Sequence, residues 1–215
     1  MKIRVGRCSL KIAFPFAALF TYFLSSELCL NFLVAAVFAS LHEFGHIAAL
    51  CVFGQMPKEL VFGIMGIRID SRTDLLSLKE ECITAAAGPV VNLIFMVICY
   101  ALKEKNELLR LIFIINTGLF AVNMLPLKSL DGGMILNNLC LMKFTAGITD
   151  KIMNFCEITV SLILIGIMIL SLLFDFSNAS FVFFTLSICI ATVFEIFKTA
   201  PRRFMLRKAV YKKIN

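Results

Sequence analysis

The chain has 215 residues, of which 60% are hydrophobic and only 16% are charged, and its mean hydropathy is +0.93. This composition excludes an ordinary soluble domain and indicates an integral membrane protein. The net charge of +7 does not indicate nucleic-acid binding, because the basic residues are sorted by membrane side rather than clustered with aromatic residues. The eight cysteines include no CxxC spacing and lie mostly in apolar runs, so no disulfide framework or thiolate metal site is expected.

The apolar runs predict an all-α polytopic membrane protein with six transmembrane helices. The basic N-terminus precedes a short first run, which is kept as a membrane span because no convincing signal-peptide cleavage site follows it. The six predicted spans cover residues 12–24, 28–53, 82–102, 108–125, 155–174 and 181–197. A membrane-embedded core is therefore expected over residues 1–200, with a basic cytoplasmic tail over residues 201–215.

A short segment after the second span differs from the apolar runs around it. Residues Leu60 to Asp70 are rich in β-branched side chains and partly alternate, which predicts one or two short strands, a β-hairpin-like segment. Two interpretations are open: a plain surface hairpin, or a sheet edge that receives an extended substrate.

The chain's two histidines, His42 and His46, stand four residues apart in the later half of the second span. On an α-helix, residues i and i+4 share a face, so both imidazoles can bind one Zn²⁺. Glu43 completes the HExxH pattern of zinc peptidases, in which this glutamate is the general acid/base. The pattern also arises by chance, but a histidine pair with a carboxylate in hydrocarbon surroundings is costly unless it has a function.

Polar residues on the third and fourth spans are candidates for the same site. Asn92 needs a partner in the membrane, and it is either an interhelical hydrogen-bonding group or a group that faces the active-site cavity. After the fourth span, Pro126 and the glycine pair after Asp131 predict a tight non-helical return that lines a cavity. Asp131 is then the natural third zinc ligand, with the fourth position open; without the HExxH pattern it would be interpreted as a capping or loop aspartate.

Two acidic residues in the last two spans are given no catalytic role. Glu157 and Glu195 lie toward the ends of their apolar runs, so they are expected to snorkel or to be solvated.

The distribution of basic residues predicts the orientation of the chain. If six spans are assumed, 18 of the 21 Lys and Arg residues fall on the side that holds both termini. By the positive-inside rule both termini are cytoplasmic, and the histidine pair and Asp131 both lie toward the cytoplasmic leaflet of the cell membrane.

Three motifs occur in a characteristic order: HEFGH at residues 42–46, GPVVN at residues 88–92 and NMLPLKSLDG at residues 123–132. This order resembles the site-2 protease family of intramembrane zinc metalloproteases, over about residues 10 to 200. The resemblance implies one zinc ion per chain, bound by His42, His46 and Asp131, with Glu43 as the catalytic acid/base. It also implies that Asn92 and Asn123 help to hold the substrate backbone or the oxyanion.

The compact six-span layout looks most like the sporulation branch of that family, stage IV sporulation protein FB, which processes a pro-sigma factor. The C-terminal CBS domain that is frequent in that branch has no room before Asn215. The implied substrates are membrane-spanning or membrane-tethered proteins, with the lipid bilayer and inhibitory membrane proteins as further partners and no nucleic acid. Two alternatives are a non-proteolytic zinc-binding scaffold and, less favoured, a metal transporter.

Overall fold

The computed structural model describes residues 2–5, 8–12, 29–55, 59–63, 66–70, 76–102 and 106–173. The chain divides into two compact units, Met1–Met124 and Leu125–Asn215, and each is described by itself. Apart from Ile12, the predicted first and sixth spans lie outside the described residues, as does the predicted basic tail.

The helices described in the first unit are α1 (Cys29–Val52), α2 (Leu78–Leu102) and α3 (Glu107–Asn123), which pack against one another. They coincide with the second, third and fourth predicted spans to within a few residues. Aromatic rings join neighbouring helices: Phe38 of α1 meets Phe95 of α2 edge to face at 4.9 Å between ring centroids, and Tyr100 of α2 meets Phe113 of α3 at 5.7 Å. Large aromatic side chains therefore pack α2 against α1, the helix on which the histidines lie, and against α3.

Local hydrogen bonds fix where these helices begin and end. Ser77 and Glu80 form a capping box at the start of α2, in which each side chain accepts from the other residue's backbone N–H at 3.3 and 2.7 Å. At the end of α1, Gly54 has a φ of 71°, and the N–H of Gln55 donates to the carbonyl of Leu50 at 2.8 Å. This is a Schellman motif, whose left-handed position favours glycine.

The outward faces of the helices are apolar rather than polar. Large exposed side chains include Phe44 of α1, 63% exposed, and Val97 of α2, 60% exposed. Two described helices, α1 and α2, are long and apolar enough to cross a membrane. A helix in water would present polar residues outward, so this pattern indicates a membrane protein.

A four-stranded sheet belongs to the first unit, in the order β1 (Lys2–Val5), β2 (Cys8–Ile12), β3 (Glu59–Gly63) and β4 (Gly66–Asp70). Strands β3 and β4 pair antiparallel, with Glu59 opposite Asp70, and they occupy the segment predicted as strand-like. The sheet is larger than the expected short hairpin because β2 pairs parallel with β3, Ser9 opposite Glu59. That pairing joins segments far apart in sequence, which a local pattern does not predict.

The second unit contains α4 (Asp131–Lys143) and α5 (Ala146–Leu173), which contact each other. Helix α5 includes residues 155–173 of the predicted fifth span but begins at Ala146 rather than near Phe155. The predicted non-helical return is confirmed for residues 124–130, but the glycine pair does not belong to it, because α4 begins at Asp131. The second glycine of the pair, Gly133, is needed for another reason: a side chain on it would collide with the carbonyl of Leu127.

Candidate metal centre

The two histidines lie on the buried face of α1. His42 and His46 are 5% and 8% exposed, and Phe38 and Leu50 extend the same stripe one turn in each direction. Because all four residues are spaced by four, they share a face of the helix. The structure therefore places both imidazoles inside the packed part of the first unit rather than on its apolar outer surface.

The two imidazoles converge on one point. Nε2 of His42 and Nε2 of His46 are 3.2 Å apart, and the ring planes are inclined by 81°. Two nitrogen ligands at 2.0–2.1 Å from one zinc ion, at a tetrahedral angle, are about 3.3 Å apart. The separation of the two nitrogens thus fits a shared zinc ion.

The outer nitrogen of each ring is held by helix α2. Nδ1 of His46 donates to the backbone carbonyl of Thr84 at 2.7 Å, which leaves the lone pair of the neutral ring on Nε2. Nδ1 of His42 lies 2.9 Å from the side-chain amide nitrogen of Asn92, which is fully buried. Helix α2 therefore orients both rings, as outer groups commonly do for histidine ligands of metals.

Asn92 can hold His42 in two ways. Its amide nitrogen donates to Nδ1 when the other ring nitrogen, Nε2, carries the proton. With the amide turned over, Oδ1 accepts from Nδ1 instead; this oxygen is buried and has no hydrogen-bond partner among the described residues. In the second arrangement the buried oxygen has a hydrogen-bond partner, and the lone pair of His42 is on Nε2. The lone pairs of both histidines then face each other, which is the state that binds a cation.

A glycine of α2 makes room for the imidazoles. A Cβ atom at Gly88 would lie 2.7 Å from Cε1 of His42 and 2.6 Å from Cε1 of His46, closer than real Cβ contacts allow. The site therefore requires glycine at position 88, because the rings occupy the space that a side chain would take. Sequence reasoning assigned no role to Thr84, whose contribution is a backbone carbonyl and so independent of residue type. It included Gly88 only as the first residue of the GPVVN motif.

The remaining predicted site residues are found in both units. Glu43 follows His42 on α1 and is half-buried. Asn123 ends α3, where its amide nitrogen donates to the carbonyl of Leu119 at 3.0 Å. Asp131 is half-buried in the first turn of α4, in the second unit. The structure thus brings His42, His46 and Asn92 together, and the catalytic, substrate-binding and third-ligand roles of the others stay predictions.

No protein-family model matches the chain, and no curated protein matches it. Among solved structures it is similar to the Site-2 Protease from Methanocaldococcus jannaschii, with a TM-score of 0.64 and 18% sequence identity. The similarity covers 88% of this chain and 92% of that chain. At this identity the likeness establishes a common fold.

Proposed function

We propose that the chain is an intramembrane zinc metalloendopeptidase that cleaves membrane-spanning or membrane-tethered proteins. The observation that carries the proposal is the pair of buried imidazoles whose Nε2 atoms converge to 3.2 Å while helix α2 holds their outer nitrogens. The similar fold of the Site-2 Protease from Methanocaldococcus jannaschii supports it. The order of the HExxH, GPxxN and NxxPxxxLDG motifs supports it independently of that fold.

In the proposed site, His42, His46 and Asp131 hold one zinc ion. When bound, zinc supplies a Lewis acid that activates water and polarises the scissile carbonyl. A lone pair on Nε2 of each ring is what such a ligand requires, and the bond from Nδ1 of His46 to Thr84 fixes it there. When the amide oxygen of Asn92 accepts from Nδ1 of His42, it likewise fixes the lone pair of that ring on Nε2.

Glu43 is the proposed general base and acid. Its carboxylate takes a proton from the attacking water and delivers it to the nitrogen of the leaving amine, so a single group serves both half-steps. Because Glu43 directly follows a histidine on a rigid helix, its backbone position relative to that ring is fixed by α1. Asn123 and the free end of the Asn92 amide are the proposed donors to the substrate backbone or the oxyanion.

The proposal includes a topology and a substrate class. Six spans with both termini in the cytoplasm put the site toward the cytoplasmic leaflet of the cell membrane. The substrate is then a protein whose cytoplasmic part is released by cleavage, of the kind a pro-sigma factor represents. Membrane proteins that cover the site are the proposed inhibitors. Strand β4, at one edge of the described sheet, offers its backbone to an extended substrate segment.

Co-expression with a panel of tagged, membrane-tethered pro-proteins tests the proposal. The chain and its Glu43→Gln variant are each expressed with every substrate, and cleavage is read on a gel while zinc is measured in the purified proteins. Loss of general acid–base catalysis lowers the rate about 100- to 10,000-fold, so the variant should keep its zinc and show no cleavage.

Different outcomes separate the alternatives. Cleavage by the Glu43→Gln variant at the wild-type rate would contradict the proposed mechanism. Stoichiometric zinc with no cleavage of any substrate would favour the zinc-binding scaffold. Movement of zinc into sealed vesicles without cleavage would favour the transporter.

A further inference from the structure

A buried glutamate of the second unit has no role in the proposed chemistry. Glu157, on α5, is 1% exposed, so the expectation that it snorkels or is solvated is wrong. Its carboxylate is paired with Lys128 inside the protein. The ammonium Nζ of Lys128 donates to Oε2 of Glu157 at 3.1 Å and also to Oδ1 of Asn154 at 2.9 Å. The cation removes the need for the carboxylate to reach water.

The other carboxylate oxygen binds the main chain. Oε1 of Glu157 accepts from the backbone N–H of Lys128 at 3.3 Å. An ion pair alone would require only the side chain of Lys128, whose long stem would leave the backbone free to move. With both oxygens engaged, Glu157 fixes the main chain at position 128, three residues before Asp131.

A second contact holds the same stretch from α4. Leu127 is fully buried, and its carbonyl lies so close to Gly133 that no side chain fits there. The same carbonyl accepts from the N–H of Leu130 at 2.9 Å, which closes the turn that leads into α4. The turn before Asp131 is therefore held by α4 on one side and by Glu157 on the other.

We infer that Glu157 is a positioning residue for Asp131: by fixing the backbone of the 127–130 turn, it sets where the Asp131 carboxylate is presented. This inference rests on the proposed function, in which Asp131 is the third zinc ligand. Groups that orient metal ligands typically contribute 10- to 100-fold to metal affinity. Glu157 acts here through the main chain, without touching the metal or the substrate.

Two double variants isolate the backbone hydrogen bond from the charges. Lys128→Met/Glu157→Met replaces the ion pair by apolar side chains of similar length, a change that often preserves or raises stability. Lys128→Met/Glu157→Gln differs from it in carrying an amide at position 157, whose oxygen can accept from the N–H at position 128 as the carboxylate does. Thr149→Val is the matched control, since Thr149 is 1% exposed, lies two turns earlier on the same face of α5, and its hydroxyl has no partner among the described residues.

Zinc affinity is measured by chelator competition on the purified full-length proteins, with the melting temperature recorded alongside. We expect the Met/Met variant to bind zinc about tenfold more weakly than the Met/Gln variant at a similar melting temperature, and the Thr149→Val variant to match wild type. A merely structural role would move melting temperature and leave zinc affinity unchanged. If the Met/Met variant does not fold, hydrogen exchange of residues 127–131 in wild type and the Met/Gln variant decides: slow exchange in both supports the inference, and fast exchange in wild type overturns it.

The controls distinguish the two ways of being wrong. If wild type binds zinc and cleaves in a Glu43-dependent manner, but the Met/Met variant binds zinc as tightly as the Met/Gln variant, the positioning role is overturned and the proposed function stands. If wild type itself binds no zinc, both fall together.

Discussion

The two units fix their proposed zinc ligands by different means. In the first unit the rings themselves are held, because the Thr84 carbonyl and the Asn92 amide bond directly to the outer nitrogens of the histidines. In the second unit the ion-paired Glu157 holds the main chain before Asp131, by accepting from the backbone N–H of Lys128. An imidazole has a second nitrogen that can be bound without disturbing the first, whereas the placement of a short carboxylate depends chiefly on its backbone.

The largest expected effect is steric and belongs to the histidine side of this comparison. In a Gly88→Ala variant the new methyl group would occupy the space of both rings, at 2.6 and 2.7 Å from their Cε1 atoms. We expect zinc affinity to fall about 100-fold, the upper end of losses caused by misoriented ligands. Chelator competition on the purified protein measures it.

The control for this change is another glycine of the first unit. A Cβ atom at Gly118 of α3 would meet nothing within 4 Å, so Gly118→Ala should leave zinc affinity unchanged. Equal zinc affinity in the Gly88→Ala and Gly118→Ala variants would show that the rings can move aside, and would remove the proposed role of Gly88.

A smaller effect is expected when one ring loses its outer partner. In an Asn92→Leu variant His42 keeps its place on α1 but loses the bond at Nδ1, so zinc affinity should fall about tenfold. Asn116→Leu is matched to it, since both asparagines are fully buried and the amide nitrogen of Asn116 donates to the Ile112 carbonyl of its own helix. If both variants lose zinc equally, the loss reflects general destabilisation rather than ring orientation.

The smallest effect is expected from a change that lowers the stability of the fold without altering zinc affinity. Ser77→Ala removes the capping box of α2 without touching either ring, and it should lower the free energy of unfolding by about 1 kcal/mol. Zinc affinity should not change, because the α2 groups that hold the histidines begin a full turn and more beyond the cap. Thermal unfolding in detergent gives the first quantity and chelator competition the second; a parallel fall in zinc affinity would mean that the site responds to any loosening of α2.

The histidine pair could be predicted from sequence because the geometry that matters is local. A spacing of four on a helix is enough to place His42 and His46 together, whatever the rest of the fold does. The apolar runs likewise predicted α1, α2 and α3 to within a few residues, since the length of a membrane-crossing helix is set by the bilayer.

Features that depend on distant pairings could not be predicted in this way. Strand β2 pairs with β3 across some fifty residues of sequence, and nothing in either segment indicates the other. The Thr84 carbonyl is a main-chain group, so its contact with His46 leaves no mark on residue type. Helix α4 was missed because its two glycines were interpreted as a turn, whereas Gly133 serves a close backbone approach.

The ion pair of Glu157 is another contact between distant residues that could not be predicted from sequence. An acidic residue in an apolar run predicts either exposure or pairing, and the sequence does not say which basic residue could reach it. The partner, Lys128, lies 29 residues earlier, in the turn before Asp131. A local signal did exist for the cap of α2, since Ser77 and Glu80 have the spacing of a capping box.

The central claim, that His42 and His46 together hold one zinc ion, is tested most directly by metal analysis of three purified proteins: wild type, His46→Ala and Asn116→Leu. We expect one zinc per chain in wild type and in the Asn116→Leu control, and almost none in His46→Ala, because Nε2 of His42 alone no longer has a second imidazole at 3.2 Å to share the ion. Zinc at wild-type level in the His46→Ala variant, or no zinc in any of the three, would contradict the claim.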